Sequence, residues 1–324
     1  MHSIAHFRAE FIAYLEEKIQ TKEPVNLYEP ITYILNLGGK RLRPVLTLMA
    51  TEIFGGNYTR ALDAALAIEV FHNFSLVHDD IMDDAPLRRG KMTVHEKWDI
   101  NTGILSGDAM LIASYRYFED YQGETFKRLV ELFSTTALQV CEGQQFDIDF
   151  EDRDDVTIPE YLKMIEYKTA VLVAAAMKMG AMIANASETS QEAIYNFGKY
   201  LGIAFQLQDD YLDAFGDPKT FGKQVGGDII ENKKTFLYLK SMAFASAEQK
   251  KALEDLYSIQ PKNNTSKIQT VKEIFVESGG ANSTKEAIEQ YTQKAFEILE
   301  KLEVGENEKE ILRQFGLQLM GREV

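Results

Sequence analysis

The sequence predicts an all-α fold, a single domain of ten or more helices over residues 1–324. Apolar residues recur three and four positions apart, which is the period of an amphipathic helix. Helix-start signals recur as well, and no series of alternating strands or internal repeat of about 20 to 50 residues interrupts them. With seven prolines in 324 residues and no low-complexity linker, nothing in the sequence requires a domain boundary.

The predicted helices can be followed from the N-terminus. Phe11, Leu15 and Ile19 fall on one face of a first helix. The segments Leu66–Met82 and Ala170–Ala186 are apolar nearly all round, so both should lie inside a large bundle. A serine or threonine followed three residues later by glutamate or glutamine marks further helix starts. The four pairs are Thr157 with Glu160, Thr189 with Glu192, Ser246 with Gln249, and Ser283 with Glu286.

Composition and charge restrict the class of partner. The formal net charge is −15 and the pI is near 4.9, so neither nucleic acid nor an anionic membrane surface is an expected partner. The most apolar stretch is too short for a transmembrane segment, and the N-terminal residues lack the apolar core of a signal peptide. Cys141 is the single cysteine, which excludes an internal disulfide and fits a cytoplasmic location. A lone cysteine in an apolar helix is expected to be a small core residue.

Two copies of the acidic pentad DDxxD are the strongest functional signal. Each lies in an apolar helical segment, and because positions i and i+4 share a helix face, each crowds its carboxylates within one turn. A hard divalent cation would offset this repulsion, and all-oxygen ligation favours Mg²⁺, Mn²⁺ or Ca²⁺ over zinc. An acidic, solvated helix face is the alternative interpretation. The two sets are Asp79, Asp80 and Asp83, and Asp209, Asp210 and Asp213.

Cationic side chains accompany both pentads. In the segment GGKRLRP, residues 38–44, two glycines precede three cations, so a backbone can approach an anion that Lys and Arg then bind. A pair of arginines follows the first pentad, and lysines stand before and after the second. Each cation taken alone could be a solvated surface charge. Together they predict a site that holds metal and polyphosphate at once. These cations are Lys40, Arg41, Arg43, Arg88, Arg89, Lys168, Lys223 and Lys233.

In combination these motifs resemble those of the trans-isoprenyl diphosphate synthase (polyprenyl synthetase) family. The matching segments are GGKRLRP, SLVHDDIMDDAPLRRGKMTVHEKW, GQQFDIDFE, YKTA and FQLQDDYLDAFGD, followed by two lysines. The resemblance implies an all-α bundle around a deep central cavity, usually assembled as a homodimer. It also implies head-to-tail condensation of isopentenyl diphosphate with an allylic diphosphate. The product would be a short-chain trans-prenyl diphosphate, geranylgeranyl or farnesyl diphosphate.

The resemblance further implies roles for individual residues. Asp79, Asp83 and Asp209 would bind metal, and Asp80, Asp210 and Asp213 would be further ligands or their partners. Three Mg²⁺ ions are expected, with Mn²⁺ able to substitute. The residues that would hold isopentenyl diphosphate are Lys40, Arg43, His72 and Arg89. Those on the allylic diphosphate side, where the catalytic residues lie, would be Arg88, Lys168, Thr169, Gln206, Lys223 and Lys233.

Phe74 is the expected determinant of product length. It lies five residues before Asp79, about 7.5 Å along a helix at 1.5 Å per residue. An aromatic residue at this place is typical of short-chain members of the family, where it forms a floor for the growing chain. Ser75 follows it, and the first pentad carries no insertion, which together favour a 20-carbon product over a 15-carbon one. Helix spacing alone is equally compatible with an ordinary core phenylalanine.

Three other functions stay open at this point. A terpene cyclase shares the aspartate-rich helix and magnesium, but it does not need a second pentad or a separate isopentenyl diphosphate site. A non-catalytic partner subunit of a prenyl synthase would be expected to have lost metal ligands, and both pentads are intact. A calcium-binding structural protein would explain the aspartates but not the cations.

Overall fold

The computed structural model describes residues 1–217 and 225–321. These residues are mostly helical, with almost no strands, which confirms the predicted all-α class. Two strands, β1 (Leu87–Arg88) and β2 (Lys91–Met92), pair antiparallel as a short hairpin. Within the described ranges, no helix has both the length and the apolar character needed to span a bilayer.

The helices are numbered in chain order. The first seven are α1 (Ile4–Lys18), α2 (Val25–Asn36), α3 (Leu42–Ile53), α4 (Leu62–Met82), α5 (Val94–Lys97), α6 (Ile100–Arg116) and α7 (Gly123–Glu151). They are followed by α8 (Ile158–Ile165), α9 (Val171–Ile183), α10 (Glu188–Phe215), α11 (Gly227–Ile230) and α12 (Phe236–Phe244). The last four are α13 (Ala247–Tyr257), α14 (Thr265–Glu277), α15 (Gly280–Glu300) and α16 (Glu306–Met320). A 3₁₀ turn, Tyr58–Ala61, precedes α4.

Contacts divide the chain into two compact units. The first contains residues 1–137 and 175–194, and the second contains residues 138–174 and the chain from Tyr195 onward. In the first unit α4 packs against α3 and α6, and α2 packs against α6. Residues 64–71 of α4 are buried on every side, as the apolar sequence predicts. The assignment of the chain to one domain stays a prediction.

In the second unit, α12 packs against α8 and α15, and α14 packs against α13 and α15. One apolar cluster forms around Leu212, Leu237 and Phe275. Another forms around Ile165 and Leu207. These two clusters fix the ends of α8 and α10 that carry the polar residues described below.

Two of the four predicted helix starts are correct. Thr157 and Ser246 each form a complete capping box at the first turn of α8 and α13. The other two are wrong because the helices begin earlier. Helix α10 begins at Glu188, where Ser187 Oγ accepts the Ser190 N–H at 3.1 Å. Helix α15 begins at Gly280, so Ser283 lies inside it.

The expectation for Cys141 is also wrong. The cysteine was predicted to be a small core residue, but it is exposed on α7. The polar residues that follow it, Glu142, Gln144, Gln145, Asp147 and Asp149, give this part of the helix a polar face. Position 141 therefore lies on the solvent side of the helix.

A π-helical turn, Glu166–Ala170, separates α8 from α9. The sequence predicted a helix beginning at Ala170 and placed Lys168 and Thr169 in an apolar helix, but it gave no sign of the wider turn. Such turns occur often at functional sites. Gly143 on α7 makes room for it, since a Cβ at this position would lie 2.2 Å from the Lys168 backbone nitrogen.

Gly143→Ala tests whether this close approach holds the π turn in place. The added methyl must push α7 away from the turn, and overpacking of this kind costs about 1–3 kcal/mol. We expect a lower midpoint of thermal unfolding, measured by circular dichroism. Glu142→Ala, at an exposed position one residue earlier on the same helix, is the control and should change the midpoint little. Equal midpoints for the two variants would contradict the packing role of Gly143.

Candidate active site

A carboxylate-lined cavity of about 250 Å³ lies within the second unit. It brings together seven of the residues predicted from the sequence. These are Lys168, Thr169, Gln206, Asp209, Asp210, Asp213 and Lys233. Apolar side chains of Phe150, Met164 and Ile165 form part of its wall. Lys223 lies outside the described residues.

The second aspartate of this pentad is held by protein donors. The Tyr161 hydroxyl donates to Asp210 Oδ2, and Gln206 Nε2 donates to Asp210 Oδ1 at 3.1 Å. Thr169 Oγ1 in turn donates to Gln206 Oε1 at 3.2 Å. Thr169, Gln206 and Asp210 therefore form one hydrogen-bonded chain, and their orientations depend on each other.

Further carboxylates lie close to these hydrogen-bonded residues and affect their pKa values. Burial raises the pKa of Asp210 to about 7; the charges of Asp209 and Asp213 act in the same direction, against the two hydrogen bonds. Burial, followed by the charges of Asp210 and Asp213, raises the pKa of Asp228 to about 8. These raised pKa values mean that burial and neighbouring carboxylates disfavour the ionised forms of Asp210 and Asp228, which a nearby positive charge would favour. Because the carboxylates of the cavity offer only oxygen atoms as metal ligands, the site fits a hard divalent cation.

Asp213 also has a structural contact. Its Oδ2 accepts the backbone N–H of Asp228 at 2.9 Å. This bond ties the last turns of α10 to the start of α11. Asp213 was predicted as a metal residue, and the bond gives it the added task of placing Asp228 at the cavity.

Lysines supply the positive charge of the cavity. Lys168 Nζ lies 2.5 Å from Asp147 Oδ2, and Lys233 Nζ lies 3.0 Å from Glu231 Oε2. Burial disfavours the charged form of Lys233, but the neighbouring carboxylates, Glu231 above all, outweigh burial and raise its pKa above the ordinary value. Lys233 is therefore cationic at neutral pH, and both lysines lie among carboxylates that a bound diphosphate and metal would rearrange.

Six polar residues of the cavity were not predicted from the sequence. They are Asp147, Glu151, Tyr161, Asp228, Lys234 and Thr235. Asp147 and Glu151 lie inside GQQFDIDFE, one of the segments that resemble the family. Asp228 precedes Lys233 by five residues and could have been found by its place between the predicted lysines. Tyr161 gave no signal, since a tyrosine in an apolar helix is ordinarily a core residue.

The first pentad lies at the end of α4, within the first unit. Asp80 is 1% exposed and is paired with Arg88, whose Nε lies 2.8 Å from both carboxylate oxygens and whose Nη2 lies 2.6 Å from Oδ1. Asp79 and Asp83 stand one turn apart, and the Asp83 N–H donates to the Asp79 carbonyl oxygen at 2.9 Å. In each pentad, therefore, the protein itself holds the second aspartate.

The β1–β2 hairpin places Arg89 against the glycine loop of residues 38–44. Arg88 pairs with Lys91, so Arg89 and Gly90 are the two turn residues, with φ of 52° and 74°. Positive φ at both positions is the geometry of a type I′ turn, which strains an arginine. The Arg89 Nη1 donates to the Gly38 carbonyl oxygen. Gly39, at φ 121°, leaves room for the guanidinium, since a Cβ would lie 3.0 Å from Arg89 Cζ.

This arrangement creates a basic cluster of Arg43, His72, Arg88 and Arg89, all predicted as substrate-binding residues. Burial, then the charges of Arg43 and Arg89, hold the pKa of His72 well below its ordinary value, so the imidazole is neutral. Burial also lowers the pKa of Arg43. The Arg43 Nε has no hydrogen-bond partner among the described residues. A bound anion would satisfy it and offset the crowded charge. Lys40 is exposed on the adjoining loop.

Arg41 and Glu69 form a buried ion pair behind this cluster. Arg41 Nη1 lies 2.5 Å from Glu69 Oε1, and both side chains are 4% exposed. Asn73 Nδ2 donates to the same carboxylate at 3.2 Å, and Arg41 Nη2 donates to the Leu35 carbonyl oxygen. Arg41 has a φ of 51° immediately before α3, so the pair fixes the backbone from which Lys40 and Arg43 project. The sequence reasoning assigned Arg41 no separate role and missed Glu69.

Phe74 lies on α4 and is 8% exposed. Its ring centroid lies 5.5 Å from that of Phe71 and 4.8 Å from that of His78. Val70, one turn earlier on the same helix face, lines a second cavity of about 560 Å³, also within the first unit. Phe74 thus stands on the helix between the pentad and the level of this cavity.

Two aspartate pentads, each accompanied by arginine or lysine side chains, are typical of a metal-assisted enzyme of diphosphate chemistry. A sequence profile of the polyprenyl synthetase family matches residues 24–275. The chain belongs to this family, and it is an isoprenyl diphosphate synthase, a transferase of prenyl groups. Family members depend on a divalent metal. The terpene cyclase and the non-catalytic subunit are not favoured.

Individual relatives agree with this assignment. A geranylgeranyl pyrophosphate synthase from Geoglobus acetivorans is 42% identical over 229 residues, which cover 70% of this chain and 72% of the relative. A geranylfarnesyl diphosphate synthase from Natronomonas pharaonis is 41% identical over 244 residues, covering 69% and 71%. A crystal structure of a geranylgeranyl pyrophosphate synthase matches with a TM-score of 0.96 and 56% identity over 100% of both chains.

Arg41→Met should destabilise the protein strongly. Removing one partner of a buried ion pair leaves Glu69 desolvated without a counter-charge, which costs about 3–5 kcal/mol. Urea unfolding followed by circular dichroism measures the change. Lys127→Met, which breaks the exposed pair of Lys127 with Glu131, is the control and should cost less than about 1 kcal/mol. A loss for Arg41→Met no larger than the control would show that the buried pair does not stabilise the basic loop.

Proposed function

We propose that the protein is a geranylgeranyl diphosphate synthase, which adds isopentenyl diphosphate head-to-tail to allylic diphosphates until the chain has 20 carbons. The observation that carries the proposal is the carboxylate cavity with Lys168, Thr169 and Gln206 at the second pentad. The names of the relatives, which include geranylgeranyl synthases, support the product class.

The metal in this proposal is Mg²⁺, three ions as the resemblance implies, with Mn²⁺ able to substitute; the assigned ligands are Asp79 and Asp83 in the first pentad and Asp209 in the second. As a Lewis acid, it would neutralise the charge that develops on the leaving diphosphate. Asp80 and Asp210 contribute differently, because their oxygens accept hydrogen bonds from Arg88 and from Tyr161 and Gln206. They orient these partners, and Asp213 holds the backbone at Asp228.

Lys168 and Lys233 stabilise the allylic diphosphate as it leaves. Lys233, whose pKa is raised, is charged before substrate binds, and its partial burial makes its interactions stronger than they would be in water. Asp147 and Glu231 hold the two ammonium groups in position. Lys223 is assigned the same task by its place in the sequence.

The allylic cation that remains needs protection from water and modest stabilisation of its charge. Thr169 and Gln206 present fixed oxygen dipoles, and the chain of hydrogen bonds to Asp210 prevents their reorientation. The wall of Phe150, Met164 and Ile165 excludes water. Positioning of this kind accounts for much of the rate of a reaction between two bound substrates.

Isopentenyl diphosphate is assigned to the basic cluster of the first unit, with Lys40 on the adjoining loop. Arg43 offers the N–H that lacks a partner among the described residues, and Arg89 lies beside Gly39. His72, being neutral, donates one hydrogen bond without adding charge. Arginine suits this task because its planar donors match phosphate oxygens.

Assembly as a homodimer is part of the proposal. Large apolar side chains on α6 are unusually exposed: Ile104 is 41%, Leu105 60% and Ile112 64% exposed. On the next helix Leu138 is 62% exposed. Exposed apolar residues grouped on one helix are typical of a surface that another chain covers. A second copy of this chain is the expected occupant.

A product assay tests the function. Purified protein is incubated with Mg²⁺, isopentenyl diphosphate and, separately, the five-, ten- and fifteen-carbon allylic diphosphates, and the products are separated by chain length. We expect 20-carbon diphosphate from each primer. Asp79→Ala and Asp209→Ala serve as inactive controls. Cyclised hydrocarbons, or no condensation with any primer, would refute the proposal.

The two substrate sites should respond to different substitutions. Arg43→Met removes charge-assisted bonds to isopentenyl diphosphate, worth about 1.5–3 kcal/mol each, so its KM for that substrate should rise roughly 10- to 100-fold. Lys168→Met should instead impair use of the allylic primer. Steady-state kinetics with each substrate varied in turn separates the two effects. Arg43→Lys should recover part of the loss. Equal effects of both variants on both substrates would contradict the partition.

Phe74→Ala should lengthen the product by at least one isoprene unit. Removing the ring leaves space along α4 through which the growing chain could reach the cavity that Val70 lines. Product chain length under excess isopentenyl diphosphate is the measurement. Phe71→Leu is the control, because Phe71 is fully buried and its ring packs on Phe133 at 5.3 Å. An unchanged product in Phe74→Ala, or an equal change in the control, would remove Phe74 from the role of floor.

A further inference from the structure

Beside the first pentad, three possible metal ligands of a different chemical kind converge. Asp84 follows the end of α4, and His95 and Glu96 lie on α5. One ligand atom of each residue lies within 4.8 Å of the other two. The distance from His95 Nε2 to Glu96 Oε1 is 3.9 Å. We propose that these three residues form a zinc site, distinct from the magnesium ligands of the pentads.

The burial of His95 and its lack of hydrogen-bond partners are the main support for the zinc site. Its side chain is only 4% exposed, and neither ring nitrogen has a hydrogen-bond partner among the described residues. A buried polar group without a partner destabilises the folded protein, because it has lost its hydrogen bonds to water. Helix α6 packs beside His95, since a Cβ on Gly103 would be in ordinary van der Waals contact with His95 Cβ, at 3.7 Å. Coordination to a metal gives one nitrogen the partner that it lacks.

The ligand set selects the metal. An imidazole nitrogen suits zinc and other late transition metals, whereas Mg²⁺ prefers oxygen ligands alone. Zinc bonds of about 2.0–2.2 Å place tetrahedral ligand atoms roughly 3.3–3.6 Å apart. The three atoms must therefore approach by at most about 1.5 Å. Asp84 is exposed and the Glu96 side chain is 49% exposed, so both can rotate. Water completes the fourth position.

The site lies at the base of the β1–β2 hairpin. Asp84 precedes the hairpin and His95 and Glu96 follow it, so one ion would join its two ends. Two bonds already close this base: Thr93 Oγ1 donates to the Ala85 carbonyl oxygen at 2.8 Å, and the Thr93 N–H donates to the Pro86 carbonyl oxygen at 3.2 Å. Zinc therefore restricts the motion of the segment that carries the two substrate-binding arginines.

Titration calorimetry of the full-length protein with Zn²⁺, in saturating Mg²⁺ to fill the pentads, tests the proposal. We expect one equivalent of zinc to bind. Asp84→Asn and Glu96→Gln alter exposed residues and should fold normally, and each should weaken zinc binding at least tenfold. His95→Gln should abolish it. Two controls should retain the site: Asp79→Ala, in the neighbouring pentad, and His6→Gln, a histidine on α1.

A second measurement does not depend on affinity alone. Hydrogen exchange of residues 85–92 should slow when zinc is added to the wild-type protein, and this protection should be absent in Asp84→Asn. Absence of zinc binding in saturating Mg²⁺ would overturn the proposal. So would binding that survives in Asp84→Asn and Glu96→Gln but disappears in Asp79→Ala, since the zinc would then occupy the pentad.

Discussion

Crowding of like charges on desolvated helix turns is the constraint on which the rest of the site depends. Each pentad packs three aspartates into one turn, and the protein relieves each by holding the second aspartate. The means differ. Arg88 cancels the charge of Asp80, whereas Tyr161 and Gln206 are neutral and only donate hydrogen bonds to Asp210. Burial, with the charges of Asp209 and Asp213 acting in the same direction, raises the pKa of Asp210. A cation bound at the second pentad would favour the ionised form of this carboxyl group.

The basic cluster also crowds like charges in a desolvated place, but here the charges are positive. Arg43 and Arg89 are crowded and partly desolvated, and both have lowered pKa values. A neutral His72 among them avoids a further charge. The Glu69 carboxylate behind the cluster is already occupied by Arg41 and Asn73, and the Asp80 carboxylate by Arg88. Binding of an anion would therefore relieve the repulsion among these arginines. Groups with shifted pKa values are often found at functional sites, where they lower the stability of the folded protein.

Much of this was predictable because the signals are local. Helical periodicity identified the all-α class, and the spacing of aspartates and cations identified both pentads and the GGKRLRP loop. What could not be predicted depends on contacts between segments distant in sequence. The π turn exists where Gly143 lets α7 approach Lys168. Tyr161 becomes a site residue only through its bond to Asp210, 49 positions away. The wrong starts at Thr189 and Ser283 have a local cause instead, because the two helices begin a few residues earlier, at Glu188 and Gly280. The roles assigned to individual site residues stay predictions.

The two adjacent arginines of the hairpin show why their order matters. Arg88 occupies a strand position and reaches Asp80, while Arg89 occupies the first turn position and reaches Gly38. One dipeptide therefore serves the pentad and the basic loop together. A shift of the turn by one residue would turn both side chains away from their partners, since successive positions on a strand face opposite sides. An Asn or Gly would suit the turn position better than Arg. The strain at Arg89 is understandable if its guanidinium, which no smaller turn residue could replace, is needed beside Gly39.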